Sequence, residues 1–173
     1  MKDRAGGTSA RPAPGSPGAS CRWARPVPRT PRPANGSVPA SEVVARHLAL
    51  VAGSPVVHLE RIRTADGEPM ALERTHLPAQ RLPGLESADL RDASLYELLE
   101  RRWGVRVAQA DQWASVVRLA AEEAALLQVA PDQPALLFQR LTRDPSGAPI
   151  EYVRSLYRGD RYEVHIRLER LGG

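Results

Sequence analysis

The stretch from Ser41 to Arg158 contains the same helix-and-hairpin pattern twice. The first copy carries Val51-Ala52, Pro55, Leu59-Glu60-Arg61, Gly67, Pro69-Met70 and Arg74, and the second carries Val129-Ala130, Pro134, Phe138-Gln139-Arg140, Gly147, Pro149-Ile150 and Arg154. A single unit of this size cannot bury its own apolar face, so neighbouring copies are expected to pack together. The repeat therefore predicts one antiparallel sheet with helices on one side, and a pocket where the two halves meet.

Each copy reads as a helix followed by a β-hairpin. In the first copy Ser41 is a typical N-cap, and apolar residues follow it at helical spacing at Val44, Leu48 and Val51. The elements expected next are a strand over 56–64, a turn at Asp66-Gly67 and a returning strand over 69–77. In the second copy they are a helix over 120–129, a strand over 135–143, a turn at Pro145-Ser146-Gly147 and a strand over 150–158.

Further elements lie outside the two copies. Ser94 and Glu97 have the spacing of a capping box, and the helix that they open ends at Gly104. Its apolar stripe consists of Leu95, Leu98, Leu99 and Trp103. Residues 105–117 are strand-like, and 162–168 alternate between apolar and polar side chains, as in a half-solvated antiparallel sheet. The predicted fold class is α+β.

The N-terminal segment differs in composition from the rest. The first forty residues hold eight of the sixteen prolines, and seven basic residues against one acidic residue, a balance of +6 that leaves −2 for positions 41–173. Such a segment buries too little apolar surface to offset chain entropy, so we expect a disordered basic leader over 1–37 and one folded domain over 38–170. Its charge could attract nucleic-acid phosphates loosely, but scattered arginines without interleaved aromatic residues favour a plain unstructured segment.

Several functional classes find no support in the sequence. With 173 residues, no apolar run of about 20 residues and no secretion signal, we expect a soluble, cytoplasmic chain without a membrane partner. Cys21 is the single cysteine, and the four histidines show no metal-ligand spacing. There is no glycine-rich phosphate loop, dinucleotide fingerprint or paired-carboxylate motif. We therefore expect no metal, no cofactor and no enzymatic activity.

Seven short motifs occur in a fixed order along the predicted domain. They are Gly53-Ser54-Pro55-Val56, Leu59-Glu60-Arg61-Ile62-Arg63, Asp66-Gly67-Glu68-Pro69, Ala71-Leu72-Glu73-Arg74, Leu82-Pro83-Gly84-Leu85, Ser94-Leu95-Tyr96-Glu97-Leu98-Leu99, and the run from Glu151-Tyr152-Val153-Arg154 to Asp160-Arg161-Tyr162. Together they resemble the UTRA effector-binding domain, the C-terminal half of HutC-type GntR transcription regulators. The resemblance covers about Val38 to Leu168.

The resemblance implies a chorismate-lyase-like fold, a homodimer, and binding of small acidic metabolites or sugar phosphates that change operator affinity through an attached winged helix. The chain departs from this pattern because the basic leader stands where a winged helix of the family would be, and the first strand of the domain looks incomplete. We expect either a truncated or misread start or a stand-alone effector module. DNA contact is then expected only through a winged-helix domain that this chain lacks.

Arg61 and Arg63 form the first candidate site. Two residues apart on one strand, they emerge about 7 Å apart on the same face, so both guanidinium groups can converge on one phosphate or carboxylate. The alternative is a pair of surface cations neutralised by Glu60 or Glu73. The resemblance favours the site, because matching positions in the family contact the acidic group of the effector.

Five further residues join this site through the resemblance. Ser94 is expected to cap a helix whose N-terminus can also face an anion, and Tyr96 can donate its hydroxyl or simply pack. Glu73 and Glu151 lie on the returning strands of the hairpins, where Glu151 can bind a ligand or pair with Arg154 or Arg74.

Tyr157 shares the face of Glu151 by period-two counting. The family places ligand contacts at positions matching Glu73, Glu151, Tyr157, Ser94 and Tyr96. The sequence thus predicts an effector-sensing domain without chemistry of its own. A chorismate-lyase-like enzyme and a dimerisation fragment with no ligand are the alternatives.

Overall fold

The computed structural model describes residues 9–12, 35–88 and 94–165. Its helices are α1 (Glu42–Leu48), α2 (Leu95–Trp103) and α3 (Ala121–Leu127). Its strands are β1 (Ser9–Pro12), β2 (Asn35–Pro39), β3 (Pro55–Ala65), β4 (Glu68–Pro78), β5 (Gln109–Arg118), β6 (Pro134–Arg143), β7 (Pro149–Arg158) and β8 (Tyr162–His165). Short 3₁₀ turns at Ala79–Arg81 and Leu85–Ser87 follow β4. Within these described ranges, no helix is long and apolar enough to cross a bilayer.

Six strands form one antiparallel sheet in the order β2-β3-β4-β7-β6-β5, and β1 pairs separately with β8. The order is symmetric about the central pair β4 and β7, where Arg74 lies opposite Arg154. These arginines occupy matching positions of the sequence repeat. The α+β class, the antiparallel sheet and the duplication are therefore confirmed.

The two halves also match in backbone detail. The C-cap residue is Ala49 in α1 and Gln128 in α3. Both are non-glycine residues with left-handed φ angles, 54° and 56°. β3 shifts its register against β4 after Arg63, and β6 shifts against β7 at the matching position, after Thr142. An irregularity that recurs at equivalent places supports a duplicated unit.

The helices cover both faces of the sheet. α1 and α3 pack on the face that carries Val56, Leu72 and Leu156, whereas α2 packs on the face of Val57 and Leu59. The sequence predicted helices on one side only, so their placement differs from the expectation. The reason lies in β3: its successive residues Val56 and Val57 are both 0 % exposed, and a strand that buries neighbouring side chains needs a layer on each face.

One strand lies within the segment 1–37 that was predicted to be disordered, and a second strand begins within it. Ser9–Pro12 pairs with β8, and Asn35–Pro39 forms the edge strand beside β3. Backbone hydrogen bonds hold such strands, and these bonds require no apolar alternation in the sequence. The large sheet therefore starts at Asn35 rather than Val38, and its first strand is present. Residues 1–8 and 13–34 of the predicted leader lie outside the described residues.

Some predicted boundaries move. Val51 was expected on the apolar stripe of the first helix, but it is 79 % exposed and lies beyond the end of α1. The strand predicted over 105–117 begins at Gln109, because Val105 packs into the core with α2. β8 ends at His165, and the rest of the predicted last strand, 166–168, lies outside the described residues.

Candidate functional site

Arg61, Arg63 and Glu73 lie together on the sheet face that α2 covers. Alternation along β3 places both arginines on this face, as predicted, and Arg61 lies directly opposite Glu73 on β4. Arg63 Nη2 donates to Glu73 Oε1 at 2.7 Å. Glu73 thus neutralises Arg63, as the surface-cation alternative expected, while Arg61 lies beside this pair.

Glu151 on β7 is 2 % exposed and is held by side chains from two other elements. Tyr96 Oη donates to its Oε2 at 2.7 Å, Thr142 Oγ1 donates to the same oxygen at 3.0 Å, and Arg140 Nη2 donates to it at 3.5 Å. No hydrogen bond within the described residues uses its Oε1. The buried charge is therefore satisfied at one oxygen, and the other can accept a bond from a ligand.

Tyr96 is the residue of α2 that reaches this carboxylate. Burial, and after it the charge of Glu151, raise the pKa of the Tyr96 hydroxyl to about 12. The hydroxyl therefore stays protonated at neutral pH and remains a donor to Glu151. Tyr96 thus uses its hydroxyl to hold the Glu151 carboxylate, and this hydrogen bond connects the start of α2 to β7.

The buried arginine nitrogens on this face that form no hydrogen bond within the described residues include Nη2 of Arg61 and Nε of Arg140. A buried donor without a partner costs about 1–3 kcal/mol, and more when it is charged. Because native structures contain few such groups, each one needs an explanation. An anion that accepts from such a nitrogen would supply one.

Arg61 and Arg140 come from opposite halves of the repeat. They lie on β3 and β6, which flank the central strands β4 and β7. On the same face, those central strands carry Thr75 and Ser155, whose hydroxyl-bearing side chains are buried. The site therefore combines cations, carboxylates and hydroxyls from both halves of the molecule.

The two glutamates act electrostatically on both arginines. Burial lowers the pKa of Arg61, and Glu73 and Glu151 oppose that shift. Burial by itself would lower the pKa of Arg140 as well. The neighbouring Glu151 and Tyr96 outweigh burial and hold the pKa of Arg140 above its usual value. Both guanidinium groups remain charged at neutral pH, so positive charge is concentrated over the central strands.

Ser94 and Tyr157 lie at the margins of this group. Ser94 caps α2, since its Oγ accepts from the backbone N–H of Glu97 at 3.5 Å, and no hydrogen bond in the described residues joins Ser94 to Arg61. Tyr157 shares the face of Glu151, as predicted, and its ring packs 4.1 Å from Tyr162 and edge-on to Phe138 at 5.5 Å. The cap predicted at Ser94 is present.

Two alternative pairings considered from the sequence are wrong. Glu60 accepts from Arg74 Nε at 2.7 Å, so it does not neutralise the arginine pair of β3. Arg154 donates to Glu123 at 2.8 Å rather than to Glu151. Alternation along the strands explains both results, because Glu60, Arg74 and Arg154 all point to the face that α1 and α3 cover.

The histidines do not join the site. His58 Nδ1 lies 3.0 Å from His76 Nε2, and the ring of His47 stacks on Tyr152 with centroids 4.2 Å apart. These residues lie on the opposite face of the sheet. The ranges that the structure describes contain no group of three or more residues able to hold a metal ion.

The sequence analysis did not select Arg140 and Thr142 as site residues. Arg140 matches Arg61 in the repeat, and Thr142 follows it on the same face of β6 by period-two counting. The repeat together with the strand alternation was the signal that could have found both.

Comparisons with known proteins agree with this architecture. The UTRA domain matches residues 34–163. The HTH-type transcriptional repressor PhnF of Mycolicibacterium smegmatis is 42% identical over 122 residues, 70% of this chain and 50% of that protein. The HTH-type transcriptional repressor NagR of Bacillus subtilis is 30% identical over 134 residues, 78% of this chain and 55% of that protein. The crystal structure of the effector domain of PhnF from Mycobacterium smegmatis has a TM-score of 0.67 and 40% identity, covering 73% of this chain and 78% of that one.

The chain spans about half the length of the curated relatives that it matches. The matched region extends from β2 into β8 and includes every residue of the candidate site. Sequence identity, fold and the ordered motifs lead to one assignment. The chain belongs to the UTRA domain family of GntR-type transcription regulators.

Proposed function

We propose that this domain senses an anionic metabolite, such as a sugar phosphate or a small carboxylate. The observation that carries the proposal is the buried Nη2 of Arg61, which has no partner among the described residues. A charged donor in this state gains a full hydrogen bond when an anion arrives, and charge-assisted bonds are about twice as strong as neutral ones. Glu73 lies directly opposite Arg61 and fixes its neighbour Arg63.

The predicted site residues then divide by role. Arg61 and Arg63 bind the acidic group, and Ser94 lies at the helix start that can face it. Glu151 accepts a bond from a hydroxyl or amine of the ligand through Oε1, while Tyr96 holds the carboxylate in place. Glu73 positions Arg63, and Tyr157 closes the other end of the face.

Ligand binding regulates DNA binding through the rest of the regulator. In this proposal two copies form a homodimer, and the effector favours one arrangement of that dimer by binding it more tightly. The exposed edge strand β5 supports the homodimer, because its outer edge pairs with no strand among the described residues, and Trp113 and Val116 along it are 49 % and 72 % exposed.

The domain is proposed to bind and not to catalyse. Glu151 is engaged by a tyrosine, a threonine and an arginine, and Glu73 by an arginine, so neither carboxylate is arranged as a free general base. Incubation with chorismate tests this point, and product formation would establish the enzyme alternative.

A thermal-shift screen tests the sensing proposal. Sugar phosphates, small carboxylates and uncharged sugars are compared with the wild type, Arg61→Ala and Arg106→Ala, the last removing an exposed arginine as a control. One anionic class should raise the melting temperature of the wild type and of Arg106→Ala, and Arg61→Ala should lose the effect. Stabilisation by uncharged compounds alone would overturn the proposal.

Sedimentation equilibrium tests the homodimer separately. The wild type should have twice the mass of one chain, and Val116→Lys, which places a charge on the edge of β5, should shift the equilibrium toward the monomer. A wild type that remains monomeric at every concentration would remove the dimer from the proposal without affecting the anion site.

A further inference from the structure

A cavity of about 220 Å³ lies outside the candidate site, at the end of the sheet where β3 begins and β4 ends. The end of α1 and the turn between β6 and β7 complete its wall, so both halves of the repeat contribute to it. Its lining is mainly apolar and includes Pro55, Pro78 and Pro149. The described lining residues include none of the candidate-site residues.

Pro78, in this lining, and Arg158 occupy matching positions of the two halves. In the hairpin pairing, Pro78 lies opposite Val56 near the start of β3, and Arg158 lies opposite Ala135 near the start of β6. Because β3 matches β6 and β4 matches β7 in the repeat, the two places are structurally equivalent.

Arg158 fills the place in the second half that is equivalent to the cavity. It is 8 % exposed, and its Nη1 donates to the carbonyl oxygen of Pro69 at 3.3 Å. Pro69 matches Pro149, which lines the cavity. The ring of Pro78 is too short to extend in the same way, so the equivalent space of the first half remains open.

The carboxylates that hold Arg158 are also missing from the cavity. Arg158 donates through Nη2 and Nε to Asp160 at 2.7 and 3.1 Å, and its Nη1 lies 3.9 Å from Glu68 Oε2. The residues that match these two acids are Gln80 and Ala148, and both line the cavity. The first half therefore lacks the arginine and both of its carboxylates, which leaves this space larger and less polar than its counterpart.

Arg81 is the one charged residue among the described lining residues. Its Nη2 donates to Asp144 at 2.6 Å, so its charge is already neutralised within the protein. Its Nη1 donates to the carbonyl oxygen of Pro149 at 3.4 Å, longer than the usual N–H···O distance of about 2.9–3.0 Å. A ligand acceptor can replace this weak contact, and it needs no negative charge to do so.

We propose that the cavity is a second ligand site, which binds a small uncharged molecule with a ring-sized apolar body and one hydrogen-bond acceptor. The inference goes beyond the proposed anion sensing and does not depend on it. An apolar cavity of about 150 Å³ can bind benzene, whereas sites for drug-sized molecules have about 300–1,000 Å³. A cavity of about 220 Å³ therefore fits one ring with a short polar substituent. The apolar lining favours the ring, and Arg81 donates to the acceptor.

Benzamide is a suitable probe because it combines one apolar ring with an uncharged carbonyl acceptor. Titration of the ¹⁵N-labelled full chain, followed by amide NMR shifts, should show saturable binding at millimolar concentrations with the shifts centred on Gln80 and Ala148. Benzoate and benzamidine keep the shape but carry a charge. Both should bind more weakly, because the apolar lining would have to bury that charge.

Ala148→Leu places a larger apolar side chain at the cavity and should weaken benzamide binding at least tenfold. Ala125→Leu is the matched control, since it makes the same change at an exposed position of α3, and it should bind like the wild type. The triple variant Pro78→Arg/Gln80→Asp/Ala148→Glu copies the residues that fill the second half, and it should also lose binding. Arg81→Met, which removes the donor, should weaken binding about three- to tenfold.

The outcomes separate this inference from the proposed function. Benzamide binding that survives in Ala148→Leu and in the triple variant overturns the second site, as does the absence of saturable binding to the wild type. If neither variant folds in circular dichroism melting, the wild-type shifts decide, and shifts that avoid Gln80 and Ala148 overturn the inference. Arg61→Ala should bind benzamide like the wild type, so a failure of the anion site leaves this test unaffected.

Discussion

Arg74 and Arg154 lie directly opposite each other on the two central strands, and both donate to the same oxygen of Glu123, at 3.1 and 2.8 Å. Like charges at opposed positions of a sheet repel each other. Glu123 is buried in α3, near its start, and also accepts from the backbone N–H of Ala120 at 3.2 Å. One carboxylate therefore joins both halves of the repeat to α3, on the face opposite the candidate site.

Glu123→Gln should destabilise the fold by about 1–3 kcal/mol, because it leaves two opposed arginines without their shared counter-charge. Urea unfolding measures the change in the free energy of unfolding. Glu122→Gln is the matched control, since Glu122 is the preceding residue of α3 and is exposed. Equal stability of the two variants would show that the central arginines do not depend on Glu123.

Stability should fall as the pH drops from about 6.5 toward 4, because His76 is buried in an uncharged form. Burial first, then the neighbouring His58 and Arg74, lower the pKa of His76 to about 4. Between these pH values the unfolded chain binds a proton that the folded chain does not, so acid favours unfolding, while above pH 6.5 the effect disappears.

The double variant His58→Leu/His76→Leu tests this dependence. The matching positions of the second half, Leu137 and Leu156, already carry leucine in the core around α3. Urea unfolding at a series of pH values should show a flatter profile between 4 and 6.5 for the double variant. An unchanged slope would assign the pH dependence to other groups.

Arg61→Ala should weaken binding of the effector class about ten- to hundredfold while leaving the fold as stable as before, or slightly more stable. The reason is that the lost guanidinium group contains a buried nitrogen with no partner among the described residues. Calorimetric titration and thermal melting measure the two quantities on one sample. A large loss of stability would mean that Arg61 supports Glu73 or Glu151 instead.

Tyr96→Phe should cost about 1–2 kcal/mol, because it removes the shortest hydrogen bond to the buried Glu151. Thr142 and Arg140 remain as donors to the same oxygen, so the fold should persist. Urea unfolding gives the cost. Thr142→Val, which removes the neighbouring donor at 3.0 Å, provides a comparison, and the doubly substituted chain should lose more than the sum of both.

Local pattern was sufficient to predict part of the site. The alternation of side chains along a strand predicted that Arg61 and Arg63 share a face of β3. It also predicted that Glu151 and Tyr157 share a face of β7, because alternation is a property of the strand itself. The cap at Ser94 followed from spacing in the same way.

What the sequence did not predict depended on contacts between distant segments. The position of Arg140 relative to Arg61 depends on the order of the strands, which places β6 across the central pair from β3. The two-sided packing of the helices depended on the burial of both Val56 and Val57. Ser9–Pro12 and Asn35–Pro39 are held by backbone hydrogen bonds to other strands. The amino-acid composition of a segment does not predict such bonds, because every residue type except proline can both donate and accept them.

The duplicated halves share one arginine of the candidate site at equivalent positions but none of its carboxylates. Arg61 matches Arg140, whereas Glu73 matches Val153 and Glu151 matches Ala71. Two cations related by a two-fold axis would alone accept a molecule in either of two opposite orientations. The unmatched carboxylates remove this degeneracy, because hydrogen-bond acceptors at the two ends of the site differ in position and depth. The candidate site is therefore asymmetric, and a ligand bound there would have one preferred orientation.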